Sequence, residues 1–169
     1  MNRYVHHIDR LVAAIGRGAG YLNVVLIAVV ITDVGLRWCF SLTAAWVIEL
    51  EWHLFALIFL LGIPYALQQD RHVRVDLFYD GFGRRDRATV NLVGTLVFLV
   101  PWATVLLVTS TRYAYASWLA GEGSPNPNGI PLYFPIKAVV PFAAALLLLQ
   151  AGLEIWKAAR QRPEESPEA

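Results

Sequence analysis

Five ionisable side chains sit inside the first two apolar runs: Asp33 and Arg37 in one, and Glu49, Glu51 and His53 in the next. Asp33 and Arg37 are four residues apart and share a helical face, which suits an internal ion pair or a proton relay. The ion pair is the simpler reading. Glu49 and His53 have the same spacing, whereas Glu51 projects some 200° from Glu49 around a helix. Acids at i and i+2 cannot converge on one reacting atom, so no general acid/base dyad is expected here. One of them can meet the preceding helix while the other turns elsewhere. A charge in hydrocarbon costs about 2.5–3.5 kcal/mol on insertion scales unless it is paired. Glu51 therefore points to a partner helix outside this chain.

Other chemistries lack their residues. A membrane di-haem site needs facing histidines, and of the four histidines only His53 lies within an apolar run. The adjacent His6 and His7 point about 100° apart on a helix and read as solvated, and His72 reads as a surface residue. Cys39 stands alone and can form neither an internal disulfide nor a thiolate cluster. There is no glycine-rich phosphate loop and no serine–histidine arrangement. No catalytic, cofactor or metal site is expected, and an enzyme is not the expected class.

The elements that carry these residues follow from composition. The 169 residues are 57% hydrophobic and 16% charged, against about 25% charged in ordinary soluble domains. The apolar excess falls into four blocks, Gly18–Phe40, Ala44–Leu67, Ala88–Trp118 and Leu132–Trp156. Ala44–Leu67 alone makes a helix of roughly 36 Å, enough to cross a hydrocarbon core of about 30 Å. The expected fold is all-α, a four-helix integral membrane bundle in a single domain. The Ser41–Ala45 connection is short, so spans one and two form an antiparallel hairpin. A cleaved signal peptide is not expected, because no A-x-A-like site follows the first apolar run before Asp33.

Charge orients the spans. Arg3, Arg10, Arg17, Arg71, Arg74, Arg84, Arg85, Arg87, Lys157, Arg160 and Arg162 fall on one side, eleven of the fourteen Lys and Arg. Arg37, Arg112 and Lys137 fall on the other. By the positive-inside rule both termini and the middle loop are cytoplasmic. The net charge of +1 carries no argument for nucleic acid, and none is expected as a partner.

Along the chain, residues 1–17 are polar with basic residues and merge into span one. They suggest a short amphipathic helix on the inner surface, with Val5, Ile8, Leu11 and Val12 on one face. Gly62 and Pro64 interrupt span two, and Pro64 is expected to kink it. The loop from Gln68 to Arg87 mixes arginines, aspartates and apolar residues, as befits a segment at the lipid headgroups. Asp80–Gly83 and Arg84–Arg87 read as a turn. Span three carries Gly94 and Pro101 and ends in an aromatic belt of Tyr113, Tyr115 and Trp118 with a snorkelling Arg112. The following loop, rich in Gly, Pro and Asn, is not regular structure. Lys137, just inside span four, reaches outward to the interface. Residues 161–169 read as a disordered tail.

Several motifs carry a resemblance. Glu49-x-Glu51-Trp52 precedes Leu61-Gly62-x-x-Tyr65-Ala66-Leu67, and His72-Val73-Arg74-Val75-Asp76 follows the span directly. A second block, Ser124-Pro125-Asn126-Pro127-Asn128-Gly129-Ile130-Pro131, runs on to Pro135-Ile136-Lys137-Ala138 and Pro141. From about Ala45 to Gln150 the chain resembles the small transmembrane subunit of tripartite ATP-independent periplasmic (TRAP) transporters. It departs from that pattern at Asn128, where a glycine is expected. The resemblance implies sodium-driven uptake of an organic acid across a bacterial inner membrane. A large permease subunit would hold the substrate and sodium, and a periplasmic substrate-binding protein would deliver the substrate. The small subunit would act as a scaffold in the lipid bilayer, with no substrate-binding residue and no cofactor of its own. On this reading Asp33, Arg37, Glu49, Glu51, Trp52, His72, Arg74, Asp76 and Lys137 are candidates for subunit contacts or structural roles. A four-span adaptor of another membrane complex shares the composition. A membrane oxidoreductase subunit would need redox residues that this chain lacks.

Overall fold

The computed structural model of the chain describes residues 3–69 and 83–160; His72, Arg74, Asp76 and the tail at 161–169 lie outside them. Every regular element among the described residues is helical. They are α1 (Arg3–Phe40), α2 (Ala45–Gln68), α3 (Arg84–Gly94), a π-helical turn (Thr95–Leu99), α4 (Val100–Leu119) and α5 (Phe134–Arg160). Four helical stretches are long and apolar enough to cross a membrane: Val5–Phe40, Ala45–Gln68, Thr89–Leu119 and Phe134–Lys157. In hydrocarbon every backbone polar group must find its partner within the chain, and uninterrupted helices achieve this.

α5 is the central helix. It packs on α4 and on α2, and α1 packs chiefly on α2. The α4–α5 contact is built from small residues. Ala103, Ser110, Ala114 and Ser117 form the buried stripe of α4, and Ala143, Ala144, Leu147 and Ala151 are buried on α5. Short side chains let two helices approach closely where hydrophobic exclusion from water cannot drive them together.

Three features refine or correct the expectations. First, the N-terminal segment and span one form one continuous helix. α1 runs unbroken for 38 residues, roughly 57 Å, since no proline interrupts it. Val5 and Val12 are buried, as expected of one face, but Leu11 is exposed. Gly16 lies directly against the Tyr65 side chain of α2. Asp9 binds both neighbouring helices: Gln68 Nε2 donates to its carbonyl at 2.7 Å, and Lys157 Nζ reaches Oδ1 at 3.2 Å. Secondly, Arg84–Arg87 are the first turn of α3 rather than a turn before it. Thirdly, span three is not uniformly α-helical. Pro101 has no N–H to give to the carbonyl four residues back. The helix widens ahead of it, and Val100 donates to the carbonyl of Thr95, five residues earlier.

α1 turns into α2 through Ser41, which takes a left-handed conformation (φ 53°). The amides of Ser41 and Leu42 return to the carbonyls of Arg37 and Leu36. This turn and the loop between α4 and α5 share one end of the molecule, the loop end. Residues 3 and 160 mark the terminal end.

Candidate functional site

The loop end gathers most of the candidate residues. Asp33 and Arg37 bond each other along α1, with Asp33 buried and Arg37 half exposed. The spacing of four residues made that pairing legible.

Glu49 does not turn toward α1. Its side chain is enclosed by the segment between α4 and α5, and the residue is 5% exposed. Oε1 accepts from the Ser124 hydroxyl and from Asn126 Nδ2 at 3.1 Å, and Oε2 accepts from the Ile130 amide at 2.7 Å. Hydrogen bonds to a carboxylate are about twice as strong as neutral ones, so these three fix the loop on α2. As expected from the proline and glycine content, the loop forms neither helix nor strand, yet it is internally bonded. Ser124 N–H donates to Ile130 O at 2.9 Å, Tyr133 N–H to Glu122 O at 2.8 Å, and Gly129 N–H to Asn126 O at 3.1 Å. Gly129 allows the approach: a Cβ there would strike the Ser124 side chain and lie 2.8 Å from Glu49 Oε1. Asn128, the departure from the resemblance, has φ 60°. Glycine adopts that left-handed conformation freely, and asparagine tolerates it better than most side chains. The substitution is thus compatible with the turn.

Lys137 reaches the loop end but is not free at an interface. Its ammonium bonds Glu122 at 2.5 Å and lies 4.2 Å from the centre of the Tyr113 ring. The ammonium donates to the Glu122 carboxylate and holds it below the usual carboxylate range. A depressed folded-state pKa adds stability above the unfolded value of about 4.3, and that stability is lost as pH falls through the lower folded value. Between about pH 6 and pH 3, thermal stability in detergent should therefore fall further for the natural chain than for Glu122→Gln. Parallel curves would show that the pair contributes nothing.

His53 shares a face with Glu49, as its spacing required. Its Nδ1 lies 2.6 Å from the Glu49 carbonyl, and its ring packs on Tyr133 with centroids 5.7 Å apart. Trp52 is exposed on the outside of α2. Glu51 receives no bond from the described residues, and its Oε1 is closed off from solvent. At the terminal end, Gln150 is fully buried and its Nε2 donates to Glu154 at 2.9 Å. Glu154 in turn meets Lys157 at 3.1 Å. Among the described residues no group of three or more His, Cys, Asp or Glu is placed to hold a metal ion.

The loop ligands of Glu49 were not identified as its partners from sequence. Ser124, Asn126 and Ile130 stood only within a recognisable motif. The signal available was that a buried acid near a loop rich in backbone donors needs several of them.

Over residues 26–161 the chain matches the family model of tripartite ATP-independent periplasmic transporters, DctQ component. The chain belongs to the DctQ family. No curated protein matches it. A DctQ component is a membrane subunit of a transporter, and the family is one of transport components rather than enzymes. The four apolar spans agree with a multi-pass membrane protein. Ser124–Pro131, the segment that encloses Glu49, lies within the matched region, as do all the spans except the first part of α1.

Proposed function

We propose that this DctQ component is the small subunit of a sodium-driven TRAP transporter that imports an organic acid, a carboxylate, and that it acts as a fixed scaffold for the large permease subunit. The observation that carries the scaffold role lies at the loop end. Asp33, Glu49 and Lys137, all enclosed in the chain, each hold their charge against a partner within it. Groups committed in this way hold the helices and the loop in one arrangement, whereas substrate or sodium sites need polar groups free to bind and release. Sodium and substrate are assigned to the large subunit, as the family resemblance implies.

The distribution of Lys and Arg supports cytoplasmic termini. With that orientation the latched loop faces the periplasm, the side from which a soluble substrate-binding protein approaches. Purification of the tagged chain from its own membranes in mild detergent tests the assignment. A large polytopic protein is expected in about a one-to-one ratio, and the reconstituted set should take up a carboxylate only with a sodium gradient. A chain that comes out alone and folded would overturn the scaffold role. Uptake indifferent to sodium would overturn the driving ion.

A further inference from the structure

The two acids of α2 have different fates. Glu49 is held by the loop, while Glu51 has an enclosed oxygen that accepts no hydrogen bond from the described residues. The described cations of the loop end are placed elsewhere. Arg37 bonds Asp33 and Lys137 bonds Glu122. Arg112 is exposed on α4, which packs chiefly on α5. A carboxylate at this depth is costly in lipid and is normally matched by an opposite charge.

The surface beside Glu51 is suited to a helix. Trp52, Phe55 and Phe59 are 70%, 63% and 58% exposed, and the Phe55 and Phe59 rings stack with centroids 6.5 Å apart. Further along, Gly62 has open space where a Cβ would project. Helical geometry puts Glu51, Trp52, Phe55, Phe59 and Gly62 within an arc of about 100°. That strip covers about three turns of α2, ending in a glycine of the kind at which membrane helices approach closely. A lipid headgroup could reach only its upper end.

We infer that this strip of α2 seats one transmembrane helix of the large permease subunit, and that this helix carries an Arg or Lys paired with Glu51. The inference rests on the transporter-subunit reading above and names the face through which that reading operates.

A photoreactive phenylalanine placed at Phe55 or at Phe59, in native membranes containing both subunits, tests the face. Adducts with the large subunit are expected from both positions. Adducts with lipid alone, or with the large subunit from Val105 on α4 but from neither phenylalanine, would overturn the inference. The charge is tested by recovery of the large subunit with the tagged chain. Glu51→Lys should reduce it at least about tenfold, the scale for breaking a buried charge pair. Glu51→Gln should reduce it less, while the isolated variant melts like the natural chain, because Glu51 bonds nothing among the described residues. Unchanged recovery with both variants would overturn the pairing. If the natural chain brought down no large subunit, the transporter reading itself would fall. If it did so and only these tests failed, the α2 face alone would be wrong.

Discussion

Glu49→Ala is expected to lower the stability of the chain in detergent by about 3–5 kcal/mol and to open the 120–133 loop to proteolysis. The Ser124 hydroxyl, Asn126 Nδ2 and the Ile130 amide all lose their acceptor in this variant. A hydrogen bond to a charged group contributes about 1.5–3 kcal/mol, and donors left unpaired on burial add their own cost. Part of the loss is recovered when the freed loop reaches water, so the expected total is below the sum of three such bonds. Glu49→Gln should lose less, since one oxygen still accepts, but its NH₂ group then meets a donor. Gly129→Ala attacks the same contact from the loop side, because its new Cβ overlaps Ser124. Overpacking of this kind costs about 1–3 kcal/mol. The two changes share one contact, so the double variant should fall short of their sum. Unfolding curves and cleavage at the loop measure both effects. A Glu49→Ala chain with natural stability and a protected loop would show that the latch holds nothing.

Gly16→Leu is expected to cost about 2–3 kcal/mol, and the damage should appear at the opposite end of the molecule. A Cβ on Gly16 already overlaps the Tyr65 side chain of α2, so a leucine must push α1 away from α2. Overpacking a tight contact costs about 1–3 kcal/mol, occasionally more. The displacement also strains the bonds from Asp9 to Gln68 and Lys157, which tie α1 to α2 and α5. Gly18 and Gly20 provide the control, since a Cβ at either meets open space. Leucine there should leave stability nearly unchanged. The loop should stay protected in Gly16→Leu and become cleavable in Glu49→Ala, which separates the two effects. Since leucine is the better helix former, helix propensity favours all three variants, and equal losses at all three glycines would show that the approach to Tyr65 does not set the result.

These contacts differ in how far the sequence discloses them. The four spans were legible because hydrocarbon forces backbone groups to bond within a helix, and a helix that spans needs a long apolar run. Asp33 and Arg37 were legible because four residues is one turn. The motifs around Glu49 and Ser124–Pro131 were enough to suggest the family. That the N-terminal residues merge into span one was legible, but not that Gly16 is where α1 touches Tyr65 of α2, because no packing partner is known from the sequence. The π-helical turn before Pro101 was missed for a related reason: proline shows that a bond must be lost, but not how the helix accommodates it.

The sequence by itself determined what each segment is, since composition and spacing act within one helix. Only the tertiary structure decided which segments meet. Glu49 and its donors are separated by 75 to 81 residues, and Gly16 and Tyr65 lie on different helices. No periodicity runs through an irregular loop to reveal such pairs. They arise where the packing of α2, α4 and α5 brings the 120–133 loop over a buried carboxylate, and where a missing side chain lets two helices touch.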